Sequence, residues 1–259
     1  MIITSSRIIP IYPTNTLPLK LGFVLTLFML LCSENSYAQN KEVIRSNQQW
    51  FRYWNKTKFN ENWSLKSDFG IRYKEQLNQK NKYIARTRVI YNWNEQLELA
   101  AGFAHLGSYQ GEEISIIESR PFQQISHSHQ TGITKLKQRL SVEERSFKIK
   151  DGDNSYRAPL SFRFRYRFMV NIPLLNFPSN NRALSLQAGD EIFIKSTEES
   201  SPTPFDQNRF ILGPTLQVND NIKLDLIYMY QYASTPLENI YKQSNIFRMT
   251  LKHYINLMN

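Results

Sequence analysis

Residues 160–172 alternate between two kinds of side chain, and this alternation constrains the fold more than any other feature. The segment reads Leu-Ser-Phe-Arg-Phe-Arg-Tyr-Arg-Phe-Met-Val-Asn-Ile. Side chains of a β-strand point to opposite faces with a period of two. One face is therefore apolar and aromatic, whereas the other carries three arginines. A strand with these two faces is typical of a transmembrane barrel, with lipid outside and water inside. The predicted lipid-facing side chains are Phe162, Phe164, Tyr166, Phe168, Val170 and Ile172.

The alternation recurs along the chain and predicts further strands. It is clear at residues 63–73, 83–93, 97–103, 136–145, 184–191, 209–218, 222–232 and 247–255, and weaker at 48–59 and 118–129. Trp63 and Tyr73 are ten residues apart, as are Tyr83 and Trp93. Ten residues of a tilted strand span roughly 25 Å, the height of the apolar band of an outer-membrane barrel. The sequence therefore predicts an all-β fold, an antiparallel transmembrane β-barrel of ten to twelve strands.

The exact strand number stays open between ten and twelve. The alternating segments number eleven, whereas single-chain bacterial barrels have an even number of strands. Ten strands result if segment 48–59 does not cross the membrane. Twelve result if a short strand at 41–46, or a division within 109–132, adds one.

Tight polar turns alternate with longer polar loops between these segments. The turns are predicted at residues 60–62, 94–96, 130–132 and 219–221, and the loops at 75–82, 109–117, 149–158, 195–206 and 233–243. Short turns at one end and long loops at the other are the pattern of an outer-membrane barrel.

The N-terminal region carries the features of a secretory signal peptide. A 12-residue apolar run at 21–32 follows Arg7 and Lys20, and Ser36-Tyr37-Ala38 supplies small residues before a predicted cut after Ala38. Cys32 raises the alternative of a lipid anchor, but Leu31 stands where a lipoprotein signal requires a small residue. The predicted organisation is a signal peptide at 1–38 and one outer-membrane β-barrel domain at 39–259.

The composition of residues 39–259 narrows the class of protein. This part contains no cysteine, so disulfides do not hold the fold. It carries 30 Lys and Arg against 21 Asp and Glu, a net charge of +9. Basic charge with aromatics could suit a nucleic-acid binder, but the signal peptide and the aromatic face argue against one. We expect a location in the cell outer membrane, with outer-membrane lipid and the barrel-assembly machinery as partners and no nucleic acid.

The inward face of the predicted barrel is rich in arginine. Its candidate lumen-lining residues are Arg72, Arg86, Arg88, Arg139, Arg145, Arg163, Arg165, Arg167, Arg209, Arg248, Asp68, Glu98, Glu143, Glu191 and Asp225. One interpretation is a filled, structural interior held by ion pairs between strands. The other is a water-filled pore that favours anions, because ten arginines exceed five carboxylates. The narrow bore and the many long side chains favour the filled interior.

A lipid-modifying enzyme with serine and histidine on the barrel wall is the alternative function. Ser126-His127-Ser128-His129 is the place where these residue types crowd together. Neighbours in a strand point to opposite faces, so each serine faces away from the histidines. His127 and His129 share a face, but two histidines without a further ligand are a weak metal signal. We expect no catalytic residues, no metal and no cofactor.

Several segments resemble a known bacterial family. They are QQWFRYWNK at 48–56, RTRVIYNWN at 86–94, RPFQQI at 120–125, QRLSVEERSF at 138–147, FRYRF at 164–168 and FDQNRF at 205–210. The family they resemble is the Bacteroidetes-type domain of unknown function 2490. The resemblance implies a secreted outer-membrane barrel and brings no site residues with it.

Overall fold

The computed structural model describes residues 41–152, 154–177, 181–196 and 203–258. The predicted signal peptide at 1–38 lies outside the described residues. No helix within them is long and apolar enough to cross a membrane. Twelve strands form within these ranges: β1 (Glu42–Lys58), β2 (Trp63–Lys74), β3 (Gln79–Asn92), β4 (Leu97–Gln110), β5 (Glu113–Thr131), β6 (Thr134–Asp151), β7 (Asn154–Arg157), β8 (Ser161–Phe177), β9 (Arg182–Lys195), β10 (Phe205–Gln217), β11 (Ile222–Ser234) and β12 (Ile240–Asn256).

Eleven of these twelve strands close into a barrel, in the order β1 to β6 and then β8 to β12. β7 pairs only with the end of β6 and stands outside the barrel wall. Strands that follow one another in the wall are antiparallel. β1 and β12 close the wall as a parallel pair, in register from Glu42↔Ile240 to Lys58↔Asn256. The predicted barrel of ten to twelve strands is confirmed.

The expectation of an even strand number is wrong. An odd number of strands joined by hairpins leaves the first and last strands running in the same direction. The barrel therefore closes through a parallel pair, β1 with β12. Residues 48–58 of the predicted segment 48–59 belong to a full strand, β1, and residues 42–46 are the beginning of that strand rather than a separate one. β5 runs unbroken through 113–131, so the predicted division within 109–132 does not occur.

Asparagines shape the turns at one end of the barrel. In the turn at 59–62, Asn60 Oδ1 accepts hydrogen bonds from the backbone N–H groups of Asn62 (3.0 Å) and Trp63 (2.9 Å). Asn94 and Asn219 do the same in the turns at 93–96 and 218–221. A side chain that mimics the backbone in this way favours a tight turn. The predicted turns at these three places are therefore present.

The opposite end of the barrel has longer strands and shorter loops than the sequence predicts. The connections there are 75–78, 111–112, 152–160, 196–204 and 235–239. Pairing continues into polar segments because each added pair satisfies backbone N–H and C=O groups, whatever the side chains are. Gly111, at φ +62°, lets β4 and β5 meet in a two-residue turn. We call this the loop end of the barrel and the asparagine-bearing end the turn end.

The two faces of the wall differ in the way that the period of two requires. On β8, Phe164 is 52% exposed on the outer surface, whereas the adjacent Arg163 is 6% exposed.

Two apolar clusters share the interior with the charges. One comprises Trp50, Ile211, Ile227, Met229 and Ile246. The other comprises Ile84, Ala104, Leu106 and Phe122. These clusters narrow the bore, so the interior is not an open channel of uniform width.

Candidate functional site

All fifteen of the candidate interior residues lie on the inner side of the wall. Fourteen of them line one of two internal cavities, and Glu143 is buried in ion pairs behind the cavity surface. Sequence reasoning missed further interior charges, namely Arg52, Lys66, Lys82, Glu118, Arg120 and Asp206. Arg52 and Arg120 lie at even-numbered positions of β1 and β5, which face the interior. Extending the two-residue alternation along these strands would have identified both.

The two cavities occupy opposite halves of the barrel. The loop-end cavity has a volume of about 390 Å³ and is bounded by residues such as Gln48, Asn81 and Ser234. The turn-end cavity has a volume of about 460 Å³ and is bounded by residues such as Lys135 and Tyr254. Both volumes lie within the range of small-molecule sites, roughly 300–1,000 Å³.

Glu143 is the carboxylate with the most arginine partners in the described interior. Its Oε2 accepts hydrogen bonds from Arg163 Nε (2.8 Å) and Nη2 (2.5 Å). Arg120 Nη1 lies 3.3 Å from the same oxygen, and Arg165 Nη1 donates to Oε1. Three guanidinium groups therefore surround one buried negative charge.

Arg165 joins Glu143 to a second carboxylate. Its Nη2 donates to Glu191 Oε1 at 2.7 Å, and that oxygen also accepts from Arg139 Nη2 at 2.6 Å. Hydrogen bonds between charged partners of this kind are about twice as strong as neutral ones. β6, β8 and β9 are thus tied together by a chain of alternating charges.

This chain of charges extends to both sides. Glu118 Oε1 accepts from Arg120 Nη2 and from Arg145 Nε, both at 2.6 Å. At the other side, Arg163 Nη1 donates to Asp206 Oδ2 at 3.0 Å. We call the connected set from Glu118 on β5 to Asp206 on β10 the ion-pair ladder. The ladder supplies the cross-strand pairs expected for a filled, structural interior.

Three separate interior pairs lie outside the ladder, and one of them joins Glu98 to Lys137. Arg86 donates to both oxygens of Asp68, at 2.9 Å and 3.0 Å. Asp225 Oδ2 lies 2.6 Å from Lys252 Nζ, and Asp225 Oδ1 accepts a hydrogen bond from the Thr215 hydroxyl at 2.7 Å. These contacts commit all three carboxylates to partners already present.

A second group of interior cations has no carboxylate within 4.0 Å among the described residues. It includes Arg52, Lys66, Arg72, Lys82, Arg88, Arg167, Arg209 and Arg248. Aromatic rings compensate some of them. The Arg72 guanidinium lies 3.8 Å from the centre of the Trp50 ring, and Lys66 Nζ lies 3.6 Å from that of Trp54. Such cation–π contacts favour the charged side chain.

Six cations line both cavities and so mark the level at which the cavities meet. We call them the cationic waist: Arg52, Lys66, Arg88, Arg139, Arg167 and Arg248. They come from six strands spread around the wall, β1, β2, β3, β6, β8 and β12. Within the described part of the chain only Arg139 has a carboxylate partner.

Ser126 and His127 of β5 lie on opposite sides of the barrel wall. Ser126 is buried on the inner side, whereas His127 is exposed on the outer side and lies 3.4 Å from Gln96 Oε1. No hydrogen bond in the described ranges joins a serine hydroxyl to a histidine ring. The same residues contain no group of three or more His, Cys, Asp or Glu that could hold a metal ion.

Fold and interior together define a closed β-barrel with a basic, partly filled bore. The chain matches the model of the family described as protein of unknown function (DUF2490) over residues 47–241, and it belongs to that family. The resemblance in the sequence motifs is therefore confirmed. The comparison with curated proteins found no match.

Several solved barrels are similar in fold at low identity. The NanC porin aligns with a TM-score of 0.41 and 12% identity over 72% of this chain and 86% of that one. The β domain of the Bordetella autotransporter BrkA aligns with a TM-score of 0.39 and 8% identity, over 67% and 77%. A mutant ferric enterobactin receptor from Pseudomonas aeruginosa aligns with a TM-score of 0.30 and 13% identity over 68% of this chain. This chain spans 35% of that receptor's length.

Proposed function

We propose that this protein is an outer-membrane β-barrel that forms a narrow, anion-favouring pore. The observation that carries the proposal is the surplus of cations along two cavities that meet inside the bore. Fixed positive charge around a narrow, water-accessible path raises the local concentration of anions and repels cations. The ion-pair ladder supplies the structural half of the interior, because its charges neutralise one another.

The location in the membrane is the first part of the proposal. The outer surface is apolar along the strands, and such a surface needs lipid around it. Export by the signal peptide at 1–38, outer-membrane lipid and the barrel-assembly machinery belong to the same proposal. We assign no catalytic role to Ser126, His127, Ser128 or His129.

We expect the protein to fractionate with outer membranes and to migrate faster on a gel before boiling than after it. A closed barrel resists detergent and stays compact until it is heated, because its strands have no free edge. Recovery as a soluble periplasmic protein with no migration shift would contradict the location.

We expect purified protein in a planar bilayer to conduct, with a reversal potential that indicates preference for chloride over potassium. Arg167→Gln should lower this preference, because Arg167 has no carboxylate partner among the described residues and lines both cavities. Arg163→Gln, four residues earlier on the same strand, is the matched control. Its guanidinium is neutralised by Glu143 and Asp206, so its loss should affect stability more than selectivity.

Two results would contradict this proposal, the first the pore itself and the second the assignment of selectivity to the unpaired cations. One is the absence of current from folded, heat-modifiable protein, which would favour the purely structural interpretation of the interior. The other is an equal change of selectivity in both variants, since that would mean that pairing within the ladder does not decide which charges the permeating ions meet.

A further inference from the structure

We propose that the cationic waist is a binding site for a multiply charged oxyanion, with a phosphate group as its defining element. The ligand class is inorganic phosphate, pyrophosphate or a small phosphate ester. This inference deepens the proposed function and rests on it in one respect: water-borne anions must reach the interior from at least one end.

The first argument is unpaired charge at a buried place. Arg88 is 7% exposed and Arg248 is 9% exposed. The Nε atoms of Arg52, Arg88, Arg139, Arg167 and Arg248 are all buried, and none has a hydrogen-bond partner among the described residues. Arg88 donates only to the neutral Gln124, and Arg139 is the one waist arginine with a carboxylate partner among the described residues. A buried cation without an opposite charge is costly. An anion at the waist would supply both the missing charge and the missing acceptors.

The carboxylates around the waist do not fill this role. Asp68 accepts hydrogen bonds from Nε and Nη2 of Arg86, and Asp225 is held by Lys252 and Thr215. Glu191 accepts from Arg139 and Arg165 within the ladder. The remaining waist cations therefore stand opposite one another rather than opposite negative charge.

The second argument concerns the shape of the donors. Guanidinium groups present a planar fork that matches the oxygens of phosphate in a two-point contact. Five arginines and one lysine reach the waist from six strands, so donors surround the site instead of facing it from one side. A halide offers one small point charge and a monocarboxylate offers one edge, whereas a phosphate group presents oxygens in several directions.

The third argument is the space on either side. The cavities of about 390 Å³ and about 460 Å³ adjoin the waist from opposite ends. A phosphate at the waist leaves room for the rest of a small ester in either one. Aromatic rings line both cavities, Trp50 and Phe193 at the loop end and Trp54 and Tyr254 at the turn end.

The test compares two double variants of the full chain in detergent. Arg52→Gln with Arg248→Gln removes two charges from the waist. Arg72→Gln with Arg209→Gln is the matched control, because it removes two arginines that also lack a carboxylate partner among the described residues but line only the loop-end cavity. The probes are inorganic phosphate, pyrophosphate and chloride, and the readouts are calorimetric titration and thermal unfolding.

The unmodified protein should bind pyrophosphate more tightly than phosphate, and phosphate far more tightly than chloride. The waist variant should bind pyrophosphate about 100-fold more weakly, since each lost charge-assisted hydrogen bond accounts for about tenfold. The control should lose less than about tenfold, because Arg72 and Arg209 line only the loop-end cavity and supply charge without a direct hydrogen bond at the waist. Without ligand, the waist variant should unfold at a higher temperature than the parent, because opposed like charges have been removed. A loss of pyrophosphate binding in the waist variant can then be attributed to the missing charges and not to unfolding.

Two outcomes would overturn the site. They are the absence of phosphate and pyrophosphate binding by the folded parent, and an equal loss of binding in both double variants, which would mean that only net charge matters. The pore is judged separately by its chloride current. A current without oxyanion binding would overturn this site and leave the pore, whereas binding without a current would support the site and contradict the pore.

Discussion

Glu143→Gln should destabilise the barrel by about 3–5 kcal/mol, the cost of removing one partner from a buried ion pair. Its side chain is buried, and the carboxylate contacts Arg120, Arg163 and Arg165. The amide keeps the size of the side chain but leaves these guanidinium groups opposed without a shared negative charge. We expect this to be the largest loss among single neutralisations of interior carboxylates.

The midpoint of urea unfolding in lipid vesicles, followed by tryptophan fluorescence, would measure the loss. Glu144→Gln is the matched control, because Glu144 is the next residue on β6 and its only described partner is Gln123, at 3.5 Å on the exposed side. Unfolding midpoints that coincide for the two variants would show that the ladder does not stabilise the barrel.

Neutralising an arginine of the same ladder should cost less. If Arg165 is replaced by glutamine, Glu143 keeps Arg120 and Arg163, and Glu191 keeps Arg139. Glu118, Glu143 and Glu191 each contact at least two arginines, so each stays paired when one arginine is lost. Asp206, which contacts Arg163 alone among the described residues, is the exception. The asymmetry means that the acidic residues are the structurally critical members of a basic interior.

The strand pattern could be predicted because it depends on local periodicity alone. A strand with lipid on one side and polar groups on the other repeats its alternation every two residues, as 160–172 does. The alternation was less clear in β1 and β5, because many of their outward-facing residues are polar. β1 places Gln49, Asn55 and Thr57 on the outside, and β5 places Gln123 and His127 there.

The partners of the charged residues could not be predicted, because pairing depends on register between strands distant in sequence. Glu143 lies opposite Arg163 across the β6–β8 pair, but its contact with Arg120 comes from the other neighbour, β5. Which arginines remain unpaired follows only once every register is known. The cationic waist is therefore visible in the structure and not in the sequence.

The odd strand number was hidden for a different reason. Counting alternating segments leads to eleven, but a rule drawn from other bacterial barrels excluded that number. The direction of pairing between the first and last strands is not encoded in either strand alone. Parallel closure requires seventeen matched pairs between β1 and β12, and no local pattern distinguishes these from antiparallel ones.

Leu140→Arg should prevent most of the protein from inserting into lipid, because a charge near the middle of the lipid-facing wall costs about 2–4 kcal/mol. Leu140 lies on the outer side of β6, 55% exposed, between Ile125 of β5 and Tyr166 of β8. Neither neighbour offers the guanidinium a negative charge, so no ion pair offsets the free energy of placing the charge in lipid.

Leu160→Arg is the matched control for the effect of depth. Leu160 is 54% exposed, almost as much as Leu140, but it lies in the connection before β8 at the loop end of the barrel. A charge there stays in or near water and should cost about 0–1 kcal/mol. After dilution from urea into vesicles, the fraction with barrel-like gel mobility should fall sharply for Leu140→Arg and little for Leu160→Arg. Equal insertion of both would mean that the wall around Leu140 does not face lipid, and the proposed membrane location would then be wrong.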